Sequence, residues 1–211
     1  MRQTEFNSLK NFKVILLGET GAGKSSIISH LISDTPICLY DCNVEFGTKN
    51  IPIKDFSVSI EFFNMIDSSK VNMVRAKGLT NPFFKDTSLV IIVFDLSKPP
   101  YVDTVSRWFF EIEKHHRLFA GNFKILCLGT KADLKHENNF FFQSELLGAE
   151  INSFSKKFNQ HIHYYEVSSS DCNSCYKLLD QIKILAESFF DSQNHFKNLY
   201  SSTDKNTIKP I

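Results

Sequence analysis

The strongest chemical signal in this sequence is Gly18-Glu19-Thr20-Gly21-Ala22-Gly23-Lys24-Ser25, which fits the pattern Gly-x-x-x-x-Gly-Lys-Ser/Thr. In such a loop the glycines let the backbone curl until successive N–H groups point inward at phosphate oxygens. Lys24 puts a point charge on the β- and γ-phosphates, and the Ser25 hydroxyl is placed to ligate Mg²⁺. Ser26 and the following Ile27-Ile28-Ser29-His30-Leu31 open a helix whose N-terminus faces the same phosphates. An apolar run, Val14-Ile15-Leu16-Leu17, stands directly before the loop. The plainer alternative, a glycine turn with no ligand, has this strand and this helix against it.

A phosphate loop alone does not name a base. Thr130-Lys131-Ala132-Asp133 follows the apolar run Phe123–Leu128, and in an open α/β sheet ligands sit at the carboxyl ends of strands. The Asp133 carboxylate can accept two hydrogen bonds, from N1–H and N2–H₂ of guanine. Adenine offers no such donor pair, so a site of this kind discriminates by roughly 10⁴–10⁵. Lys131 would lay its alkyl stem along the base. A third segment, Glu166-Val167-Ser168-Ser169-Ser170, follows the last strand-like run and offers loop backbone to the guanine oxygen.

The elements that must position these groups alternate between strand and helix patterns, which argues for an α/β fold with a mostly parallel sheet. Phe12–Leu17, Leu89–Phe94, Phe123–Leu128 and Ile162–Val167 read as strands. Val44–Ile53 and Val58–Phe63 read as a hairpin pair across Lys54-Asp55-Phe56-Ser57. Helix patterns follow the glycine loop and run through Val102–Leu118, Ser144–Phe158 and Ser174–Phe190. In the first of these three, Val102, Val105, Phe109, Ile112 and His116 share a face, with Trp108 and Phe110 off it. From Asp191 to Ile211 the chain is polar and reads as a flexible tail. No internal repeat is present.

Composition bounds the function. The 211 residues suit one domain with a sizeable core, and the net charge of +1 gives no electrostatic case for nucleic acid or an anionic membrane. No stretch is apolar for long enough to span a bilayer, and Met1-Arg2-Gln3-Thr4-Glu5 has no signal-peptide core. The five cysteines, Cys38, Cys42, Cys127, Cys172 and Cys175, read as free thiols of a reducing cytosol. Cys172-Asn173-Ser174-Cys175 is a lone pair, better explained as thiols at a helix start than as a metal or redox site. His115-His116 and His161/His163 match no metal box. Phe140-Phe141-Phe142, after a polar loop, reads as packing under a helix, with an exposed partner patch as the alternative.

Taken together, these segments resemble the Ras superfamily of small GTPases, and within it the Rab branch. Thr130-Lys131-Ala132-Asp133 looks like that family's Asn/Thr-Lys-x-Asp, and Ser168-Ser169-Ser170 stands where it has Ser-Ala-Lys. Val44-Glu45-Phe46 is similar to the Val-Asp-Phe after switch I of Rab proteins. Phe83-Phe84-Lys85 resembles their Tyr-Tyr-Arg after switch II. Val105-Ser106-Arg107-Trp108-Phe109-Phe110-Glu111-Ile112 looks like their Val-x-x-Trp-x-x-Glu-Ile helix. The resemblance covers residues 11 to 190. It implies a P-loop NTPase fold of the small G domain type over residues 1–190: a six-stranded, mostly parallel sheet flanked by helices on both faces. It further implies GDP or GTP, Mg²⁺ and protein effectors or regulators.

The chain departs from this family in both switches. Where the family has Asp-Thr-Ala-Gly-Gln, this sequence has Asn64-Met65-Ile66-Asp67-Ser68. Asn64 replaces the Asp that holds Mg²⁺ through water; its amide oxygen can accept a hydrogen bond but carries no charge. Asp67 replaces a Gly near the γ-phosphate, where two unit charges about 4 Å apart repel by roughly 4 kcal/mol at an effective dielectric of 20. Ser68 replaces the Gln that orients the attacking water. The family's switch I Thr, a Mg²⁺ ligand, falls near Asp41, which could ligate the ion or repel the γ-phosphate. Rab proteins usually end in prenylated cysteines, whereas no Cys follows Cys175, so any membrane association is expected through a partner, from the cytoplasm. Two readings follow: a Rab-type GTPase of vesicle trafficking or signalling with weak or absent hydrolysis, or a pseudo-GTPase acting as an interaction module. A P-loop ATPase or small-molecule kinase has Asp133 against it.

Overall fold

A computed structural model describes residues 9–33, 44–54, 56–65, 84–134 and 137–203, with the side chains of 137–142 and 194–203 excepted. Asp41, Asp67, Ser68, Cys38, Cys42 and Phe83 lie outside the described residues, as do the side chains of Phe140, Phe141 and Phe142.

The strands are β1 (Leu9–Gly18), β2 (Phe46–Ile53), β3 (Phe56–Asn64), β4 (Leu89–Asp95), β5 (Lys124–Thr130) and β6 (His163–Glu166). The helices are α1 (Lys24–Ile32), α2 (Val102–His115), α3 (Glu137–Phe158) and α4 (Cys172–Thr203). They build one six-stranded sheet in the order β2-β3-β1-β4-β5-β6. Only β2, the hairpin partner of β3, runs antiparallel. This is the small G domain arrangement of a P-loop NTPase fold. Among the described residues, no helix is long and apolar enough to cross a membrane.

Side chains alternate across each strand, so one strand feeds two cores. Val14 and Leu16 of β1, with Leu89, Ile91 and Val93 of β4, pack toward Ile27, Ile28 and Leu31 of α1 and Leu178, Ile182, Leu185 and Phe189 of α4. Ile15 and Leu17, with Val90, Ile92 and Phe94, pack toward Val105, Trp108, Phe109 and Ile112 of α2 and Leu147, Ile151 and Phe154 of α3. Covered on both faces, β4 is buried at all seven positions, which is why it reads as an unbroken apolar run.

Three elements differ from the sequence reading. Trp108 is buried and His116 is exposed, because the buried face of α2 is Val105, Trp108, Phe109 and Ile112, the i, i+3, i+4, i+7 set. Helix α3 starts at Glu137, so Phe140-Phe141-Phe142 belongs to a helix and does not precede one. Helix α4 runs to Thr203, well past Phe190. Polar Ser, Gln, Asn and Lys residues continue a helix already nucleated by packing, and no Pro or Gly interrupts them before Pro210.

Candidate nucleotide-binding site

The loops after β1, β5 and β6 leave the sheet at one edge, the carboxyl ends of its parallel strands, where open α/β folds place ligands. The backbones at the ends of β4, β5 and β6 are tied together there. Leu96 N donates to Thr130 O at 3.0 Å, Val167 N to Gly129 O at 2.8 Å and Ala132 N to Val167 O at 3.3 Å.

The glycine loop has the predicted strand before it and helix after it. Gly18 pairs with Val93 across the sheet, and a Cβ on it would lie 2.3 Å from the Val93 carbonyl oxygen. Gly23 caps α1 in the left-handed region at φ 92°, a conformation that disfavours any side chain. Ile27 N donates to Gly23 O at 3.0 Å and starts the helix. Lys24 is buried, and its Nζ donates to the carbonyl oxygens of Gly18 at 2.7 Å and Glu19 at 2.8 Å. A buried ammonium needs such partners, and here they are the loop's own backbone. Gly21, Glu19, Thr20 and Ser26 are exposed and Ala22 is buried. Arg107 of α2 donates from Nη2 to Glu19 Oε1 at 2.5 Å, an ion pair between half-exposed partners.

The predicted base-recognition segment meets this loop through Thr130. Its hydroxyl lies 2.7 Å from Ala22 O in the loop and 3.0 Å from Phe94 O at the end of β4, one proton within reach of two acceptors. Lys131 then takes a positive φ of 56°, and its Nζ donates to Asp95 Oδ2 at 2.6 Å. Burial alone would raise the Asp95 carboxyl, but hydrogen bonds from Lys131 and Ser97 outweigh it and hold it below the ordinary range. Asp133 is exposed; Ser168 Oγ donates to its Oδ1 at 2.5 Å and Ser170 Oγ to its Oδ2 at 3.3 Å. The Ser168 bond is the main reason the Asp133 carboxyl is held below its usual value. Ser168 is itself braced, its N–H donating to Ser174 Oγ at 3.0 Å. Ser169 sits half-buried between the two serines that bond Asp133.

The structure therefore brings together Gly18 to Ser26, Thr130, Lys131, Asp133 and the Ser168–Ser170 loop. It also adds three residues the sequence reading did not select. Asp95 lies in no quoted motif, and Val44 and Arg107 lie in segments read only for their resemblance; each gains its place in the site through its partner, Lys131, Asn64 and Glu19 respectively.

The metal side differs from expectation. Asn64 presents its nitrogen to the site: Nδ2 donates to Ser25 Oγ at 2.9 Å and to Val44 O at 2.9 Å. Its Oδ1, expected as an acceptor, is buried without a hydrogen-bond partner. Among the described residues, no group of three or more His, Cys, Asp or Glu side chains could hold a metal ion.

Set beside known proteins, residues 13–187 match the model of the Ras family. The chain is 29% identical over 128 residues to Ras-related protein RABA2a of Arabidopsis thaliana, an alignment covering 59% of this chain and 55% of that protein. It is 24% identical over 196 residues to Ras-related protein YPTC6 of Chlamydomonas reinhardtii, covering 87% and 81%. With Ras-related protein rab-11.1 of Caenorhabditis elegans it shares 28% over 142 residues, covering 64% and 60%. The chain thus spans little more than half the length of the first of these relatives.

Proposed function

The chain belongs to the Ras family and is Rab-like, and from that premise we propose that it binds GDP and GTP but hydrolyses GTP slowly or not at all. The observation that carries the first half is Thr130. Its hydroxyl ties the lysine-bearing loop to the segment holding Asp133, so a phosphate cradle and a guanine acceptor share one rigid edge. In this reading the N–H groups of Glu19 to Ser26 and the Lys24 ammonium hold the phosphates. Asp133, pre-ionised and oriented by Ser168 and Ser170, accepts from guanine. Lys131 lies along the base, and the Ser168–Ser170 backbone meets its oxygen.

The second half rests on chemistry missing from the sequence. Ser68 has neither the reach nor the amide of the Gln that orients an attacking water, and Asp67 stands in the sequence where the family has a Gly. A supplied arginine from a partner is worth roughly 10³–10⁵ in rate, so partner-assisted hydrolysis is one route to a working switch. The second reading, a pseudo-GTPase whose nucleotide is a structural ligand, is favoured by the Asn64 amide turned toward Ser25. Both place the protein in the cytoplasm, in trafficking or signalling, with protein effectors or regulators and membrane contact through a partner.

Single-turnover hydrolysis of preloaded GTP tests this. A rate below about 10⁻⁴ s⁻¹, under the roughly 3–5 × 10⁻⁴ s⁻¹ of an unassisted small GTPase, supports the proposal, and one at or above that intrinsic rate overturns it. A gain on Ser68→Gln selects the slow-enzyme reading; no gain selects the module.

A further inference from the structure

Asn64 closes β3 beside Leu16 of β1, two residues before the glycine loop begins. Its backbone N–H donates to Glu45 O at 2.9 Å, and its side chain donates to Val44 O and to Ser25 Oγ. The Val44 carbonyl fixes which way the amide faces. A carbonyl oxygen only accepts, so turning the amide over would set Oδ1 against it, two acceptors face to face. The nitrogen therefore points at both partners, and Oδ1 is left buried and unpaired.

This reverses the polarity of Ser25. A hydroxyl has one proton and two lone pairs. A carboxylate at position 64 would accept the Ser25 proton and turn a lone pair outward, toward a cation. The amide N–H instead takes one of the two lone pairs, so Ser25 keeps its proton to offer to the loop's contents and has one lone pair fewer for a cation. It also sets the positive end of an N–H dipole 2.9 Å from Ser25 Oγ, where a divalent ion needs negative potential. The donors around Ser25 among the described residues do not fit Mg²⁺.

Resting on the guanine-nucleotide reading above, we propose that Ser25 is a hydrogen-bond donor to a phosphate oxygen, oriented by the Val44–Asn64–Ser25 relay, and that this chain holds its nucleotide without a divalent cation. Lys24 and the loop N–H groups then supply the positive charge. The relay also couples phosphate binding to Val44, at the entry of β2.

The test is titration of the full chain with a fluorescent GDP, in millimolar Mg²⁺ and in EDTA. Dissociation constants within about tenfold, equivalent to about 1.4 kcal/mol, support the proposal. A loss of about tenfold or more in EDTA, with binding intact in Mg²⁺, overturns it and leaves the nucleotide reading standing. Absence of binding in both buffers overturns the nucleotide reading and this inference with it. Ser25→Ala gives an independent readout. Equal weakening in the two buffers identifies a phosphate donor, whereas weakening confined to Mg²⁺ identifies a metal ligand and sinks the proposal.

Discussion

Replacing Thr130 by valine tests whether the two halves of the site are one mechanical unit. Thr130 is 2% exposed, and its hydroxyl serves Ala22 O at 2.7 Å and Phe94 O at 3.0 Å. Valine fills the same space, so no cavity forms, but it has no donor for either carbonyl. Leaving a buried acceptor without its partner costs about 1–3 kcal/mol. The strand preference of valine returns only a fraction of about 1 kcal/mol. In a domain of this size each kcal/mol moves the melting temperature by about 2–4 °C. Thr130→Val should therefore melt about 2–10 °C lower, with the urea midpoint reduced and the slope unchanged. Because Ala22 belongs to the phosphate loop, GDP affinity should fall as well. Thr130→Ser keeps the donor and gives up one methyl group, about 0.8 kcal/mol, and should bind GDP like the parent. A valine variant that melts within about 1 °C of the parent and binds GDP equally would refute the coupling.

Three further outcomes are expected. Gly18→Ala must push a methyl group to 2.3 Å from Val93 O, so β1 and β4 have to separate. The loss should be at the upper end of the 1–3 kcal/mol usual for overpacking, and a melt unchanged from the parent contradicts it. Arg107→Ala removes an ion pair whose side chains are 63% and 48% exposed; such pairs contribute about 0–1 kcal/mol, so a larger loss by urea titration would show that Glu19 needs this partner. Asp133 is held below its ordinary value of 3.8 by Ser168. Its charged form therefore persists as the pH falls and is lost only below that value, so GDP affinity should be flat from about pH 7 to pH 5. A carboxylate-linked loss centred above pH 5 would contradict the assignment.

What the sequence made legible was whatever depends on local pattern. The strand–loop–helix around Gly18 to Ser25, the apolar runs of β4 and β5, and the hairpin of β2 and β3 all follow from residue type and period. The buried face of α2 was misjudged because a wide apolar face admits two registers, and only packing into the core under α2 and α3 adds Trp108 to Val105, Phe109 and Ile112. The length of α4 was missed because its polar end carries no periodic signal. Within the site, Asp133 and Lys24 were readable from spacing. The Lys131–Asp95 and Arg107–Glu19 pairs were not, since their members are 36 and 88 residues apart in the chain. The facing of Asn64 was equally hidden: it is decided by the carbonyl of Val44, 20 residues away, and no side-chain motif records a backbone acceptor.

Guanine recognition is proposed for Asp133, at the edge that also holds the phosphate loop. Its most direct test is competition of GDP and ADP against a fluorescent GDP on the full chain, with Asp133→Ala in parallel. GDP should compete better than ADP by roughly 10⁴, and Asp133→Ala should collapse the difference while the phosphate loop stays folded. Equal competition by the two nucleotides, or a preference for GDP that survives Asp133→Ala, would contradict it.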